Sequence, residues 1–394
     1  MNSLDQDEKR STRLQANPSR NLLGRICLSF FAAILALVCG EVALRLFYEP
    51  KPVYCGWRSF SNARKINEMG FRGQNIQYSR NDIVVLLVGD SQVEAAACSY
   101  EEMPERRLEH YLSECLPSRD IRVFTLGASG YGQDQQLLVL QDYFKKHRAD
   151  YVILWQTMAN DIWNNLFPTH WPANGYPKPT YRLKDGKLLG PNFPMGANLS
   201  NLTSSRFLNL FLRFVISPRR MDEGWEAHLP PAYRPVENYD GPIDMSWQQR
   251  LDSGEEMIRQ ENLESEKSHM AIYLEPRSPR MQYGLDLTRA LLSEIEKTVE
   301  DQDGRFFLFN VERPDVPPLS KFEVHRLKGK LYRTSEKQFR ENRQYLNEPF
   351  DEIRIRITLE DNRVSPTDNH LNPQAVDQAM QILAAKIANK INPQ

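Results

Sequence analysis

Four short polar segments of this chain carry the kinds of side chain that cleave or transfer esters. In order along the sequence they are GDS (89–91), GASGYG (127–132), ND (160–161) and DNH (368–370). Together they supply a hydroxyl, backbone N–H groups beside glycines, a carboxamide, a carboxylate and an imidazole. Acyl transfer by serine needs a nucleophile, a base, a group that orients the base and donors for an oxyanion, and these segments can provide each part.

Each role has a candidate residue. Ser91 can act as the nucleophile, His370 as the base, and Asp368 as the group that holds the imidazole tautomer. The backbone N–H of Ser91, a backbone N–H at Gly130 and the side-chain amide of Asn160 can face the oxyanion. Taken singly, a serine at a strand end usually caps a helix and an Asn-Asp pair usually marks a turn. The occurrence of all four segments in order, each at the end of a predicted element, favours catalysis.

The elements that must position these residues follow an alternating pattern. Residues 83–91 (IVVLLVGDS), 121–130 (IRVFTLGASG) and 151–155 (YVILW) contain short apolar runs typical of buried strands, and apolar residues at helical spacing lie between them. Further strands are predicted at 271–276 (AIYLEP) and 306–311 (FFLFNV), and a final helix after residue 372. This order predicts an α/β fold with a parallel sheet between helices, whose ligands bind at the carboxyl ends of the strands.

The four segments resemble the four blocks of the SGNH, or GDSL, hydrolase superfamily. NEMGFRG (67–73) and LGASGYGQDQQL (126–137) further resemble membrane-anchored bacterial members. The resemblance covers roughly residues 67–165 and 270–391. It implies a flavodoxin-like, three-layer α/β/α fold with a five-stranded parallel sheet. It also implies that Ser91, Gly130, Asn160 and His370 fill the four named roles of the family, with Asp368 as the triad acid.

Three positions depart from the family pattern. Ala95 and Ala375 stand where glycine is common. The family more often has D-x-x-H, whereas here only one residue separates Asp368 from His370. Asp361 is therefore an alternative orienting acid.

The N-terminal region has the order of a membrane anchor. Residues 1–25 are polar and carry five basic side chains, and residues 26–47 (ICLSFFAAILALVCGEVALRLF) are mostly apolar. A helix of that length covers the ~30 Å of bilayer hydrocarbon, and the basic flank favours a cytoplasmic N-terminus. Glu41 and Arg45 can pair at i, i+4 within its last turns. A cleaved signal peptide is the alternative, disfavoured because no small-x-small cleavage site follows closely.

This interpretation gives three regions: a cytoplasmic tail (1–25), a transmembrane anchor (26–47) and an SGNH hydrolase-like domain (48–394) in the periplasm or outside the cell. Within the last region, residues 163–246 lose the alternating pattern and are rich in Pro, Asn, Gly and aromatic residues. We interpret them as an insertion that forms a lid or one wall of the cleft. Trp155, Trp163 and Trp171 at its start could stack on a sugar, although packing is the simpler use of Trp155.

Several other classes of protein and site have little support. The 50 basic and 51 acidic residues form no basic aromatic-rich cluster, so nucleic acid is not an expected partner. Residues 127–132 lack the G-x-G-x-x-G spacing, so no dinucleotide or other cofactor is expected. His170 and Asp161 lack a third ligand at suitable spacing, and no metal is expected. One disulfide among Cys55, Cys98 and Cys115 is compatible with an oxidising compartment, but the spacing does not name the pair.

The sequence therefore leads to two hypotheses. In the first, the chain is an extracytoplasmic serine esterase or O-acyltransferase that acts on a cell-envelope carbohydrate or lipid through an acyl-Ser91 intermediate. The choice between water and a sugar hydroxyl as acceptor stays open, as does the identity of the acyl group. In the second, it is a non-catalytic binding or scaffold subunit of a polysaccharide export or modification machine, which the alanines at 95 and 375 would suit.

Overall fold

The computed structural model describes residues 18–47, 65–169, 178–192, 205, 207–208, 225–314 and 323–392, with side chains from residue 25 onward. The chain divides into two units, which are described separately. One consists of Met1–Lys51 and Gly196–Ser217, and the other of Pro52–Met195 and Pro218–Gln394.

The smaller unit contains helix α1 (Pro18–Phe47). Its Arg25–Phe47 portion has 23 residues and a mean hydropathy of 2.3, and none of its most apolar window is buried within the protein. By length and composition it is either a membrane anchor or a signal sequence. Arg45 Nε donates to Glu41 Oε1 at 2.7 Å, the pair expected from their spacing. The other oxygen of Glu41 accepts from Ser205 Oγ at 2.9 Å and from the N–H of Phe207 at 2.8 Å.

The larger unit contains the predicted sheet and several smaller elements. The strands are β1 (Ile83–Gly89), β2 (Ile121–Gly127), β3 (Tyr151–Trp155), β4 (Thr180–Lys184), β5 (Lys187–Asn192), β6 (Ile243–Asp244), β7 (Arg305–Glu312), β8 (Val324–Leu327), β9 (Lys330–Arg333), β10 (Glu352–Arg356), β11 (Arg363–Ser365) and β12 (Asp368–Leu371). The helices are α2 (Ser91–Glu94), α3 (Pro104–Cys115), α4 (Gln133–Tyr143), α5 (Met158–Leu166), α6 (Ser246–Asp252), α7 (Glu256–Gln260), α8 (Pro279–Glu300), α9 (Glu336–Asn347) and α10 (Pro373–Ile391).

Five strands form one parallel sheet in the order β2-β1-β3-β7-β10. Counting only these strands, the order is 2-1-3-4-5, which is the flavodoxin-like arrangement. The predicted α/β fold with a five-stranded parallel sheet is thus confirmed. Because the strand order reverses between β1 and β3, the carboxyl ends of these two strands border the crevice where such sheets bind ligands.

Both faces of the sheet are covered, which explains the continuous apolar runs in its strands. Along β1, Val84, Leu86 and Val88 face one core, while Val85 and Leu87 face the other. The first core is completed by side chains from α4, α5 and α8, and the second by side chains from α3 and α10. Alternate side chains of the strand thus pack against helices on opposite faces of the sheet, as the sequence pattern predicted.

One strand prediction was wrong. Residues 271–276 do not join the sheet: Ala271–Tyr273 form a 3-10 turn, and Leu274 makes an isolated antiparallel bridge to Thr334. The fifth strand is instead β10, whose sequence EIRIR alternates in burial. An edge strand has only one neighbour and one well-covered face, so its apolar residues alternate with charged ones and it lacks the continuous apolar run of a central strand.

The described part of the predicted insertion begins inside α5 and continues with the β4–β5 hairpin. The hairpin is preceded by Lys178, whose ammonium forms an ion pair with the carboxylate of Asp134. Both side chains are completely buried, so this pair attaches the start of the hairpin to α4. Of the remaining small strands, three form a sheet in the order β6-β8-β9, and β11 pairs with β12.

The thiols of Cys98 and Cys115 are free, so these two residues do not form a disulfide with each other. Cys55 lies outside the described residues. Cys98 is buried, and burial raises its pKa to about 11, which makes its thiol unreactive.

Candidate active site

Ser91 begins α2 directly after β1, where the chain turns from the sheet into the short helix. The turn is tight because Val93 packs against the ends of two strands. A Cβ on Gly89 or on Gly127 would lie 2.6 Å from the side chain of Val93, so both strand ends need glycine. Ser91 itself stays partly exposed and can present its hydroxyl at the carboxyl edge of the sheet.

Asp90 links the serine turn to the third motif. Its carboxylate is fully buried; Oδ1 accepts from the N–H of Gln92 at 2.9 Å, and Oδ2 accepts from Asn160 Nδ2 at 2.7 Å. Burial raises the pKa of Asp90, and these hydrogen bonds oppose the effect. Asp90 therefore fixes the amide of Asn160, whose second N–H is left to serve another acceptor.

The second motif is also attached to α2. Ser129 donates to Glu94 Oε2 through its backbone N–H at 2.8 Å and its hydroxyl at 2.7 Å. The next residue, Gly130, has φ = +74°, a left-handed conformation that glycine adopts without a Cβ clash. The turn that follows β2 is thus held beside the serine turn.

The fourth motif forms strand β12, immediately before α10. Asp368 Oδ1 lies 2.5 Å from His370 Nδ1 and also accepts from the N–H of His370 at 3.0 Å. Burial alone would raise the pKa of Asp368, but these two hydrogen bonds and the charge of the ring outweigh it, and the pKa lies below its usual value. An ionised Asp368 is suited to holding the Nδ1–H tautomer of the imidazole.

The shorter Asp-x-His spacing therefore does not separate the acid from the imidazole. Asp361, the alternative acid, contributes its backbone oxygen to Asn372 Nδ2 at 3.0 Å, and in the described structure the carboxylate at the ring of His370 is that of Asp368. The β11–β12 hairpin explains this geometry, because residues two apart on one strand, as Asp368 and His370 are on β12, project from the same face.

The N–H of Leu371 donates to Gln92 Oε1 at 3.3 Å, so the residue after His370 contacts the residue after Ser91. The charge of His370 also acts to lower the pKa of Asp90. Within the described residues, no hydrogen bond joins the hydroxyl of Ser91 to the ring of His370. Hydrogen bonds between catalytic groups are often long or poorly aligned without substrate and tighten only when the substrate binds.

Two residues have roles at the site that the sequence did not predict. Arg72, from the segment before β1, donates to the backbone oxygens of Glu94 at 3.0 Å, Cys98 at 2.6 Å, and Ala95. It holds the loop that follows the serine turn. One feature of the sequence indicated this role, the position of Arg72 within NEMGFRG. Its partners could not be predicted, because they are backbone carbonyl groups, which every residue has.

Asp161 is the second. It is fully buried, and burial, together with the charge of nearby Asp90, raises its pKa well above the usual value. One of its oxygens accepts from the N–H of Thr157 at 2.9 Å, which closes the turn that presents Asn160. Asp161 thus positions the motif from a site where burial disfavours the charged form of its carboxyl group. Among the described residues, no three His, Cys, Asp or Glu side chains form a group that could hold a metal ion, and His170 lies outside them.

The tryptophans near the third motif do not offer faces to a sugar. Trp155 is 3% exposed and Trp163 is 2% exposed, so both are core residues. The expectation that Trp163 could stack on a sugar was wrong. Its indole lies on the apolar face of the amphipathic helix α5 and is buried against the core. Trp171 lies outside the described residues.

No protein-family model and no curated protein matches the sequence. Solved structures similar to this chain include the psychrotrophic esterase EstA from a Pseudoalteromonas species. That similarity has a TM-score of 0.35 and 11% identity, and covers 79% of this chain and 98% of that one.

Two others are a provisionally named arylesterase from Agrobacterium tumefaciens and a provisionally named GDSL-like lipase from Parabacteroides merdae. The arylesterase similarity has a TM-score of 0.34 and 11% identity, and covers 78% of this chain and 99% of that one. For the lipase, the TM-score is 0.31 and the identity is 11%, with 79% and 98% of the two chains covered.

Proposed function

We propose that this chain is a serine esterase or O-acyltransferase that acts through an acyl-Ser91 intermediate. The observation that supports it most is that the four motifs, from distant parts of the chain, are joined at the edge of one sheet. Asp90 binds Asn160, Ser129 binds Glu94, and Leu371 binds Gln92.

In the proposed reaction, His370 takes the proton of the Ser91 hydroxyl as its oxygen attacks the ester carbonyl. Asp368 stabilises the imidazolium that forms. The negative charge that develops on the carbonyl oxygen is bound by the N–H groups of Ser91 and Gly130 and by the amide of Asn160. The imidazolium then protonates the leaving alcohol, and water or a sugar hydroxyl releases the acyl group by the reverse sequence.

The substrate that we propose is an acylated carbohydrate or lipid of the cell envelope. The support is the N-terminal helix, which suits an anchor that keeps the enzyme at a membrane. The basic flank of this helix supports a cytoplasmic N-terminus, with the larger unit proposed to lie on the other side of the membrane. The described part of the predicted insertion, with the β4–β5 hairpin, would shape one wall of the cleft.

The test is hydrolysis of 4-nitrophenyl acetate by the full chain in detergent, compared with Ser91→Ala. Loss of the nucleophile should lower kcat by at least about 10³-fold, since only oxyanion binding and positioning would remain. Ser99→Ala, a change at an exposed serine in the following loop, is the matched control and should leave the rate unchanged.

Labelling with a fluorophosphonate, followed by mass spectrometry, should place the modification on Ser91. Equal rates for the parent chain and Ser91→Ala would refute the nucleophile. If the probe leaves the chain unlabelled while carbohydrate binding is intact, the non-catalytic scaffold function is correct instead.

A further inference from the structure

A second pair of imidazole and carboxylate lies beside the proposed active site. His269 Nδ1 is 2.5 Å from Glu261 Oε1. The Glu261 side chain is 2% exposed, and its other oxygen accepts from Ser268 Oγ at 2.5 Å. The His269 side chain is 29% exposed. The carboxylate is therefore enclosed and fixed, whereas part of the imidazole edge remains open to solvent.

One ring contact and one electrostatic interaction relate this imidazole to the proposed catalytic residues. Its ring meets Trp163 edge to face, with centroids 5.9 Å apart. Trp163 lies on α5 three residues after Asn160, and thus on the same side of that helix. In addition, the charge of Asp90, next to Ser91, helps to raise the pKa of His269. The ring of His269 therefore contacts the helix that carries Asn160.

The state of the ring follows from its partners. Burial would lower the pKa of His269, but the charge and hydrogen bond of Glu261 raise it above the usual value, assisted by the charge of Asp90. The other charged groups near the pair are Lys328, whose ammonium binds the backbone oxygen of Glu261 at 2.8 Å, and Arg250, whose charge interacts with Glu261. With Nδ1 committed to Glu261, the ring in its protonated form has one N–H left, at Nε2.

We propose that His269 is a specificity-determining residue, whose Nε2–H binds an acceptor oxygen on the part of the substrate next to the scissile ester. This inference rests on the proposed function. It narrows the substrate class to esters with further oxygen atoms close to the acyl group, such as O-acylated sugars. Glu261 is a positioning residue that keeps the ring protonated and oriented.

The decisive measurement is binding of methyl 6-O-acetyl-glucopyranoside to the full chain carrying Ser91→Ala, by calorimetry. Adding His269→Gln should weaken binding by at least about tenfold, the loss of one hydrogen bond to a charged donor. His110→Gln is the matched control because His110 forms an exposed pair with Glu114, at 3.4 Å, on α3. It should leave the affinity unchanged.

The pH dependence separates binding from a structural role. Affinity should fall as the pH rises through the pKa of His269, because the neutral ring loses the Nε2 proton. Glu261→Gln should move that fall to lower pH. A purely structural role of the pair would give no such shift. With Ser91 present, His269→Gln should lower kcat/KM for the sugar ester at least about fivefold more than for 4-nitrophenyl acetate, whose leaving group has no hydroxyl or ring oxygen next to the ester.

Three results would overturn the inference: no binding of the sugar acetate to the Ser91→Ala chain, equal binding with and without His269→Gln, or equal losses of kcat/KM for the two esters. Failure of the proposed function looks different. In that case Ser91→Ala and the parent chain hydrolyse 4-nitrophenyl acetate equally, while the binding assay still reports on His269.

Discussion

Buried carboxyl groups determine how the exposed polar groups of this site are oriented. Asp90 and Asp161 are both fully buried, and burial raises the pKa of each. Asp90 accepts a hydrogen bond from the amide of Asn160, and Asp161 accepts one from the backbone N–H of Thr157, three residues earlier in the chain. Asp368 differs because it is partly exposed and paired with His370, and its pKa is lowered. The carboxyl group that should be ionised during catalysis is thus the one with access to solvent.

Asp368→Asn tests this assignment. The amide keeps the shape but favours the wrong imidazole tautomer, so kcat for 4-nitrophenyl acetate should fall by about 10²–10⁴-fold with little change in KM. Asp361→Asn, the change at the exposed alternative acid, should stay within about twofold of the parent chain. A large loss for Asp361→Asn and none for Asp368→Asn would reverse the roles of the two residues.

The short segments that follow the strands determine which residues reach the site. Ala95, at the end of α2, has φ = +44° and ψ = +53°, a left-handed conformation that favours glycine. This explains why glycine is common there among proteins with this motif. Ala375 is different: it is fully buried within the first turn of α10, and its N–H donates to Asn372 Oδ1 at 2.9 Å. There alanine suits the helix better than glycine.

The two alanines should therefore respond oppositely to replacement by glycine. For Ala95→Gly, relief of about 1–2 kcal/mol of left-handed strain is offset by the lost methyl burial of about 0.8 kcal/mol and by greater unfolded-state freedom. The free energy of unfolding should change by less than about 1 kcal/mol. Ala375→Gly should lower it by about 1.5–2 kcal/mol, the sum of helix propensity and methyl burial. Urea unfolding of both variants measures the difference, and an equal loss in both would contradict the role of backbone conformation.

At the scale of the whole molecule, the two units have different chemistry. The larger unit has two apolar cores on either side of its sheet. The smaller contains a helix whose apolar side chains are mostly exposed, including Leu28, Phe30 and Phe31 at 65–69%. A helix with this surface needs an apolar environment, which a bilayer supplies.

We expect the full-length chain to stay in the membrane fraction after a carbonate wash, because a helix that spans the bilayer is not removed by high pH. A phosphatase that is active only outside the cytoplasm should be active when fused to the C-terminus, and inactive in a matched fusion after residue 24. A soluble product that begins after the apolar segment would instead identify a cleaved signal peptide.

Much of the fold followed from local patterns. The strands 83–89, 121–127 and 151–155 and the helices around them were predictable because buried central strands have continuous apolar runs. The edge strand β10 was missed because its alternating sequence is that of a half-exposed strand. The segment 271–276 was misread because a short apolar run does not distinguish a strand from a buried turn.

The sequence by itself determined the types of catalytic group and their order, since each lies within a few residues of a strand end. Only the tertiary structure decided which carboxylate meets His370, that Asp90 holds Asn160, and that His269 lies near Trp163. Asp368 and His370 lie two positions apart, and the structure only chose between Asp368 and Asp361. The other two contacts join residues 70 and more than 100 positions apart. Local spacing contains no information about those two contacts, because they arise only when the chain folds and brings distant segments together.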